Sequence, residues 1–360
     1  MKQWKETAAV LGRVARLADA GREAAVATVV RIVGSAYRRP GAKLLVEPAG
    51  ETSGGVSGGC LEADVREVAR AVVRGARPRL LHYETASADE NPFGLGLGCG
   101  GSVDVFVQPA TTPEALESVR RVLELLRGEK PFAVSTVLEG ERAGRSVVFA
   151  GGAIEGSTGS KALDSALRGE GEERLRERRS ALRPMEGVEV FTDVFDPPPR
   201  LAVFGAGDDA VPLVGYAADV GFRVTVVDQR PALLTAERFP GATSLALRRP
   251  EEGLGSLPLG PRGFAVVKSH SLAADREWLA ALVRCDLRYI GLLGPRERVE
   301  RVLRESGAAG DPRIYGPVGL DLAADGAEQV AVSVVAELLA VRAGRDQRHL
   351  RAREGPIHAS

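Results

Sequence analysis

The sequence predicts an α/β protein of two parts: a mixed α/β part, then a doubly wound parallel sheet with helices on both faces. Three observations predict it. From Leu201 onward, apolar strand-like runs alternate with helical ones, the pattern a parallel sheet requires. The first of those strands runs directly into Gly205-Ala-Gly207-Asp-Asp-Ala210, a glycine-rich turn of G-x-G-x-x-A form. The stiff run Asp196-Pro-Pro-Pro-Arg200 separates the parts, giving domains at 1–195 and 201–345, a linker at 196–200 and a polar tail at 346–360.

The elements follow in order. Trp4 to Ala20 has helical period, with Val10, Leu11, Val14 and Leu17 on one face and Gly21 as its stop. Ala24 to Val33 is a continuous β-prone run and Lys43 to Glu47 a shorter one. Leu61 to Val73 returns to helical period through Leu61, Val65, Val68 and Val72. Arg79–Glu84 and Ser102–Gln108 read as strands, the second alternating through Val103, Val105 and Val107. Thr112 and Pro113 start a helix, as N-cap and first helical residue. Strands follow at Phe132–Leu138, Ser146–Phe149 and Val188–Phe195. Residues 167–183, dense in Arg and Glu, read as a solvated helix face, with a partner-binding surface as the alternative. In the second part the strands are Leu201–Phe204, Arg223–Val227, Thr243–Leu247, Phe264–Lys268 and Leu287–Ile290, and the apolar helix Ala327 to Val341 closes it.

Composition narrows the function. The chain has 360 residues, with 48 basic and 48 acidic side chains and no formal net charge, which argues against nucleic-acid binding. Charged residues and glycines interrupt every apolar run before membrane-span length, and the N-terminus lacks the apolar core of a signal peptide. Three cysteines at unrelated spacings make neither a disulfide framework nor a zinc site, so the expected location is the cytoplasm.

The strand–glycine-turn–helix at 201–210 is a Rossmann-type fingerprint. Gly205 permits the tight turn, Gly207 lets the backbone approach a pyrophosphate, and Ala210 allows close helix packing. Asp228 ends the next strand, 23 residues after Gly205, where an acid commonly binds a ribose hydroxyl; Arg230 is placed to meet adenine or a phosphate. The alternative is a scaffold without its ligand, because the carboxylates of Asp208 and Asp209 repel an anion unless they point away. His270 and Asp275 either line the same crevice or form a satisfied polar pair.

Two further segments carry chemistry. In Gly54-Gly-Val-Ser-Gly58-Gly59-Cys60-Leu-Glu62, successive glycines can leave backbone N–H groups free as an anion-binding concavity, with Cys60 at a helix start that favours its thiolate. Gly94-Leu-Gly-Leu-Gly-Cys99-Gly-Gly101 again sets a cysteine among glycines. Upstream, Arg38 and Arg39 at a strand end can receive phosphate or carboxylate, or simply form a turn. Cys285 reads as a core thiol.

Together, Gly34-Ser-Ala-Tyr-Arg-Arg-Pro-Gly-Ala42, Ser57-Gly-Gly-Cys-Leu-Glu62 and Gly96-Leu-Gly-Cys-Gly-Gly101 resemble the XdhC/CoxI family, the xanthine dehydrogenase accessory factors. Phe204-Gly-Ala-Gly207, Val227-Asp-Gln-Arg230, Ser269-His270, Tyr289-Ile-Gly-Leu-Leu-Gly294 and Gly316-Pro-Val-Gly-Leu-Asp321 follow in that family's order. The resemblance implies an XdhC/CoxI-type first domain and a Rossmann-like second one. It implies a maturation factor that binds molybdenum cofactor, protects it during sulfuration and delivers it to an apo molybdenum hydroxylase. A cysteine desulfurase and a second copy of the chain are the further partners it implies. On this reading Cys60 or Cys99 ligates molybdenum, while Gly58, Gly59, Glu62, Arg38 and Arg39 hold the pterin and its phosphate. Gly205, Gly207, Asp228, Arg230 and His270 line a second site for NAD(P) or another nucleotide. An NAD(P)-dependent oxidoreductase and a nucleotide-sensing regulator remain the alternatives.

Overall fold

Ala25–Gly34 buries both faces, Val26 and Val30 on one side and Ala25, Ala27 and Val29 on the other, and so becomes the central strand of a sheet. The computed structural model describes residues 2–34, 38–84, 101–352 and 354. It divides between Pro197 and Pro198 into two units.

The first unit is built from α1 (Lys2–Asp19), β1 (Ala25–Gly34), β2 (Lys43–Val46), β3 (Thr52–Gly54), α2 (Glu62–Gly75), β4 (Arg79–Glu84) and β5 (Gly101–Pro109). The same series then recurs as α3 (Pro113–Gly128), β6 (Phe132–Val137), β7 (Ser146–Ala150), β8 (Ala153–Gly156), α4 (Lys161–Glu177), β9 (Ala181–Met185) and β10 (Val188–Phe195). Each series makes a five-stranded antiparallel sheet, in the orders β3-β2-β1-β5-β4 and β8-β7-β6-β10-β9. The positions correspond one to one. Thr28 pairs with Lys43 and Phe106, and Thr136 pairs with Ser146 and Phe191. Ala25-Val-Ala-Thr-Val-Val30 corresponds to Ala133-Val-Ser-Thr-Val-Leu138, and Val103-Asp-Val-Phe106 to Val188-Glu-Val-Phe191. The unit is an internal repeat.

Each copy packs its second helix on one face of its own sheet. Val65, Ala69 and Val72 of α2 meet Ala25, Ala27 and Val29; Leu163 and Leu167 of α4 meet Val137, Val147 and Val190. The opposite faces share a core in which Val30 and Phe106 of one copy meet Leu138 and Phe191 of the other. Lys43 Nζ also donates to Asp193 Oδ2 at 2.7 Å, tying β2 to β10. Thr112 caps α3 as the sequence suggests, accepting from the Ala115 N–H. The Arg- and Glu-rich stretch is corrected by the structure. Its helix ends at Glu177, Arg174 is only 2% exposed beside Glu170, Glu173 and Glu177, and Ala181–Met185 is an edge strand. A charged residue is buried there because its own helix supplies the counter-charges.

The second unit contains β11 (Arg200–Phe204), α5 (Ala210–Asp219), β12 (Arg223–Asp228), β13 (Ser244–Leu247), β14 (Gly263–Val267), α6 (Leu272–Leu282), β15 (Leu287–Leu292), α7 (Arg296–Ser306), β16 (Ile314–Tyr315) and α8 (Gly326–Ala343). Its six strands are parallel in the order β13-β12-β11-β14-β15-β16. Helices α5 and α8 cover one face, and α6 and α7 the other. This is the Rossmann topology, and the strand order reverses between β11 and β14, where such sheets open a crevice for ligands. Among the described residues, no helix is long and apolar enough to cross a membrane.

Candidate functional site

In the first unit, β3 hands over to α2 through the loop 55–61. Gly54 sits at φ +89, and a Cβ there would stand 2.2 Å from the Lys43 carbonyl oxygen, so only glycine can end this strand. In this loop the N–H groups of Val56, Ser57, Gly59 and Leu61 are bonded within the protein. Glu62 Oε1 accepts from the N–H groups of Val56 (3.2 Å) and Ser57 (2.8 Å), and Ser57 Oγ donates to Glu62 Oε2. Ser57 Oγ in turn accepts from the N–H groups of Gly59 (3.1 Å) and Leu61 (3.0 Å). The protein's own carboxylate thus fills the concavity. Burial pushes the Glu62 carboxyl up, but Ser57 and the loop N–H groups outweigh it and hold the group below its ordinary value. The loop is therefore an anchored platform. Gly58, Gly59 and Cys60 stand exposed on it, with Cys60 one residue before the α2 N-cap, Leu61.

A cavity of about 420 Å³ adjoins this platform, lined by Glu6, Arg38, Ser53, Ser57 and Glu62. Arg38 is held on two sides: Nη2 donates to Glu6 Oε2 at 2.6 Å and Nε to the Gly55 carbonyl at 2.9 Å. The structure thus brings Arg38 and Glu62 to one cavity with Cys60 on the adjoining loop. Arg39 lies on the surface beside Arg38. Cys99, the second expected thiol, lies outside the described residues. Glu6 and Ser57 escaped the sequence reading; Glu6 pairs across 32 positions and carries no local signal.

In the second unit, the Gly205 N–H donates to the Val227 carbonyl, and a Cβ on Gly205 would lie 2.4 Å from the Lys268 carbonyl oxygen. Asp228, expected to meet a ribose, is engaged with the protein. Its Oδ2 accepts from the Ala206 N–H at 2.7 Å and Arg230 Nη2 at 2.8 Å, and its Oδ1 from the Arg230 N–H and Nε, both at 2.9 Å. Burial raises the Asp228 carboxyl, but Arg230 and the Ala206 N–H bring it below its ordinary value. Asp275 is likewise satisfied, accepting from Ser269 and from Arg298 at 2.6 Å. His270 pairs instead with Asp209, its Nε2 3.4 Å from Oδ1. The same oxygen accepts from Lys268 Nζ at 2.5 Å. Burial pulls the Lys268 ammonium below its ordinary lysine value, against the opposing pull of Asp209. Asp209 is driven up by burial and brought below its ordinary value by Lys268 and His270. Cys285 is half-buried, its thiol near the Ala281 carbonyl at 3.7 Å. Among the described residues, no group of three or more His, Cys, Asp or Glu side chains is arranged to hold a metal ion.

Fold and site together define a protein of two α/β units, one presenting a thiol on an anchored glycine loop, the other carrying a Rossmann crevice rimmed by charged side chains. The chain belongs to the XdhC and CoxI family. Residues 17–84 match that family and residues 201–338 match the XdhC Rossmann domain. The chain is 35% identical over 323 residues to a probable xanthine dehydrogenase subunit of Bacillus subtilis, covering 89% of this chain and 93% of that protein. It is 25% identical over 332 residues to the "Molybdenum cofactor insertion chaperone PaoD" of Escherichia coli, covering 91% and 86% respectively. A crystal structure described as a xanthine dehydrogenase from Bacillus halodurans superposes with a TM-score of 0.77 at 31% identity, covering 94% of this chain and 96% of that one.

Proposed function

We propose that this chain is an accessory protein for a molybdenum hydroxylase, which takes up molybdenum cofactor as cargo, shields it while its terminal sulfido ligand is installed, and passes it to the apo-enzyme. The observation that carries this reading is the exposed Cys60 thiol on a loop fixed by Glu62 and Ser57. A soft thiolate suits a molybdenum centre, and a loop that needs no rearrangement keeps the cost of binding low. The name of the Escherichia coli relative supports the same cargo. Arg38 lines the neighbouring cavity and is placed to meet the pterin phosphate if Glu6 yields. A desulfurase as sulfur donor, the apo-hydroxylase as recipient, a homodimeric state and a cytoplasmic location belong to this proposal.

The dehydrogenase alternative drew on Gly205, Gly207 and Asp228. It loses support from Asp209, which faces the place of a dinucleotide's pyrophosphate, and from Asp228, whose oxygens are engaged with Ala206 and Arg230. The test is retention. Full-length protein mixed with molybdenum cofactor is passed through a sizing column, and molybdenum and pterin are measured in the protein peak. Co-elution that drops at least about tenfold in Cys60→Ala is expected. Absence of both from the wild-type peak overturns the proposal; full retention by Cys60→Ala removes the thiol from it.

A further inference from the structure

The two copies in the first unit meet through the inner faces of their sheets, and the two ends of that contact differ. At one end Lys43 of the first copy reaches Asp193 of the second at 2.7 Å, and its ammonium lies 5.4 Å from the centre of the Phe195 ring. Phe195 stacks on Phe132 with ring centres 4.6 Å apart, so an ion pair and aromatic packing close this end. The repeat gives each of these residues a counterpart at the other end. The strand pairings place Ser146 at the position of Lys43, Gln108 at that of Asp193 and Ala110 at that of Phe195. Counted back from the equivalent residues Ala25 and Ala133, Ser118 of α3 takes the place of Val10 in α1. A lysine has become a serine and a phenylalanine an alanine, so the second end stays open.

A cavity of about 900 Å³ lies there, between β1 and β5 of one copy and β6 and β7 of the other, with α3 along its side. Small-molecule sites have volumes on the order of 300–1,000 Å³. Lys43, Asp193 and Phe195 form its closed end. Among its apolar walls stand Thr28, Thr136, Gln108, Ser118 and Ser146, neutral groups that both donate and accept hydrogen bonds. The Ser118 and Ser146 hydroxyls are 3.1 Å apart. The interior charges, Lys43 and Asp193, neutralise each other. At the mouth Arg121 is held by Glu124 and Glu155, and Arg145 stands exposed with its guanidinium against Gly159. An ion entering this cavity would lose its hydration without gaining a counter-charge, whereas a neutral polar molecule finds partners. Two facing sheets also make a slot, which suits a flat molecule.

We propose that the open end of the repeat contact is a second binding site, which takes an uncharged, flat organic molecule of two or three rings with a hydrogen-bonding atom on its edge. The site goes beyond the cargo reading. It shares no residue with the Cys60 platform or the cavity beside it, and the pterin phosphate invoked there is an anion.

The experiment titrates the full-length protein with N-phenyl-1-naphthylamine, a neutral three-ring amine whose fluorescence rises in apolar surroundings. A parallel titration uses 8-anilinonaphthalene-1-sulfonate, the same skeleton carrying a negative charge. The amine is expected to bind, and the sulfonate to bind at least about tenfold more weakly. Ala110→Phe puts back the ring that closes the other end, and Ser118→Leu fills the cavity from α3. Each is expected to weaken the amine at least about tenfold. Circular dichroism checks that each variant is folded; Ser118 is a partly exposed helix position, so its variant carries the test should Ala110→Phe not fold. Absence of amine binding overturns the proposal. So does sulfonate binding as tight as that of the amine, or amine binding that persists unchanged in a folded cavity variant.

Discussion

Glu62→Ala removes the acceptor that organises the loop carrying Cys60. Three donors lose their partner: the N–H groups of Val56 and Ser57 and the Ser57 hydroxyl. A hydrogen bond to a charged group contributes about 1.5–3 kcal/mol when buried. Here the carboxylate is partly exposed, and water takes over some of the lost bonds, so the net loss is about 2 kcal/mol rather than the sum. That corresponds to roughly thirtyfold in the local opening equilibrium. The protein has two units, so a global melt is a poor reporter; amide hydrogen exchange reads the loop directly. Exchange at residues 56–61 is expected to accelerate roughly thirtyfold in the variant, with the Rossmann amides unchanged. Glu62→Gln keeps one acceptor oxygen and falls between. The pH dependence follows from the lowered carboxyl. A depressed folded value means the contribution is complete above the unfolded glutamate range, near 4.3, and is lost only as pH falls through the lower folded value. Wild-type loop protection is therefore expected to be flat, after correction for intrinsic exchange, from about pH 7 to 5 and to fall below about pH 4. A loop that exchanges at the wild-type rate without Glu62 would refute the claim that this carboxylate anchors it.

Two other outcomes follow from the geometry. Gly205→Ala sets a Cβ 2.4 Å from a backbone oxygen at φ +120, so the Rossmann unit is expected to lose roughly 3 kcal/mol or more, read as an early thermal transition. Lys43→Met removes the ammonium that pairs with the buried Asp193, the two side chains being 12% and 6% exposed, and is expected to cost about 3 kcal/mol in urea unfolding of the first unit. The double variant Lys43→Met/Asp193→Leu should recover most of that loss; a double variant as unstable as the single one would contradict the assignment.

Much of the fold was legible because local chemistry and burial agree. Val103, Val105 and Val107 alternate along β5, Thr112 and Pro113 open α3, and the four inner strands of the Rossmann unit, β11, β12, β14 and β15, are largely apolar runs buried on both faces. The short strands were not legible. Thr52–Gly54 and Ala153–Gly156 owe their pairing to β2 and β7 rather than to their own composition. The edge strand Ala181–Met185 contains Pro184 within a highly charged stretch. At the sites, the sequence pointed to the segments and missed the partners. Cys60 and Gly207 announce themselves through neighbouring glycines, whereas Glu6 with Arg38 and Lys268 with Asp209 are joined only by tertiary folding. In the loop expected to offer free N–H groups, those of Val56 and Ser57 are claimed by Glu62, six and five positions onward, a competition that glycine spacing alone does not reveal.

The duplicated half of the molecule bears on stoichiometry. The second copy rebuilds the loop device with Asp164 accepting from Ser157 and Thr158, and Gly156 again closes against the strand it pairs with, but Ala162 stands where the first copy has Cys60. A symmetric dimer of a single copy would have to present two identical thiols. Fusion into one chain lifts that requirement: one loop keeps the exposed thiol while its twin carries an alanine at that place. If the cargo is held through Cys60, as proposed above, it is counted once per polypeptide, and doubling the scaffold does not double the load.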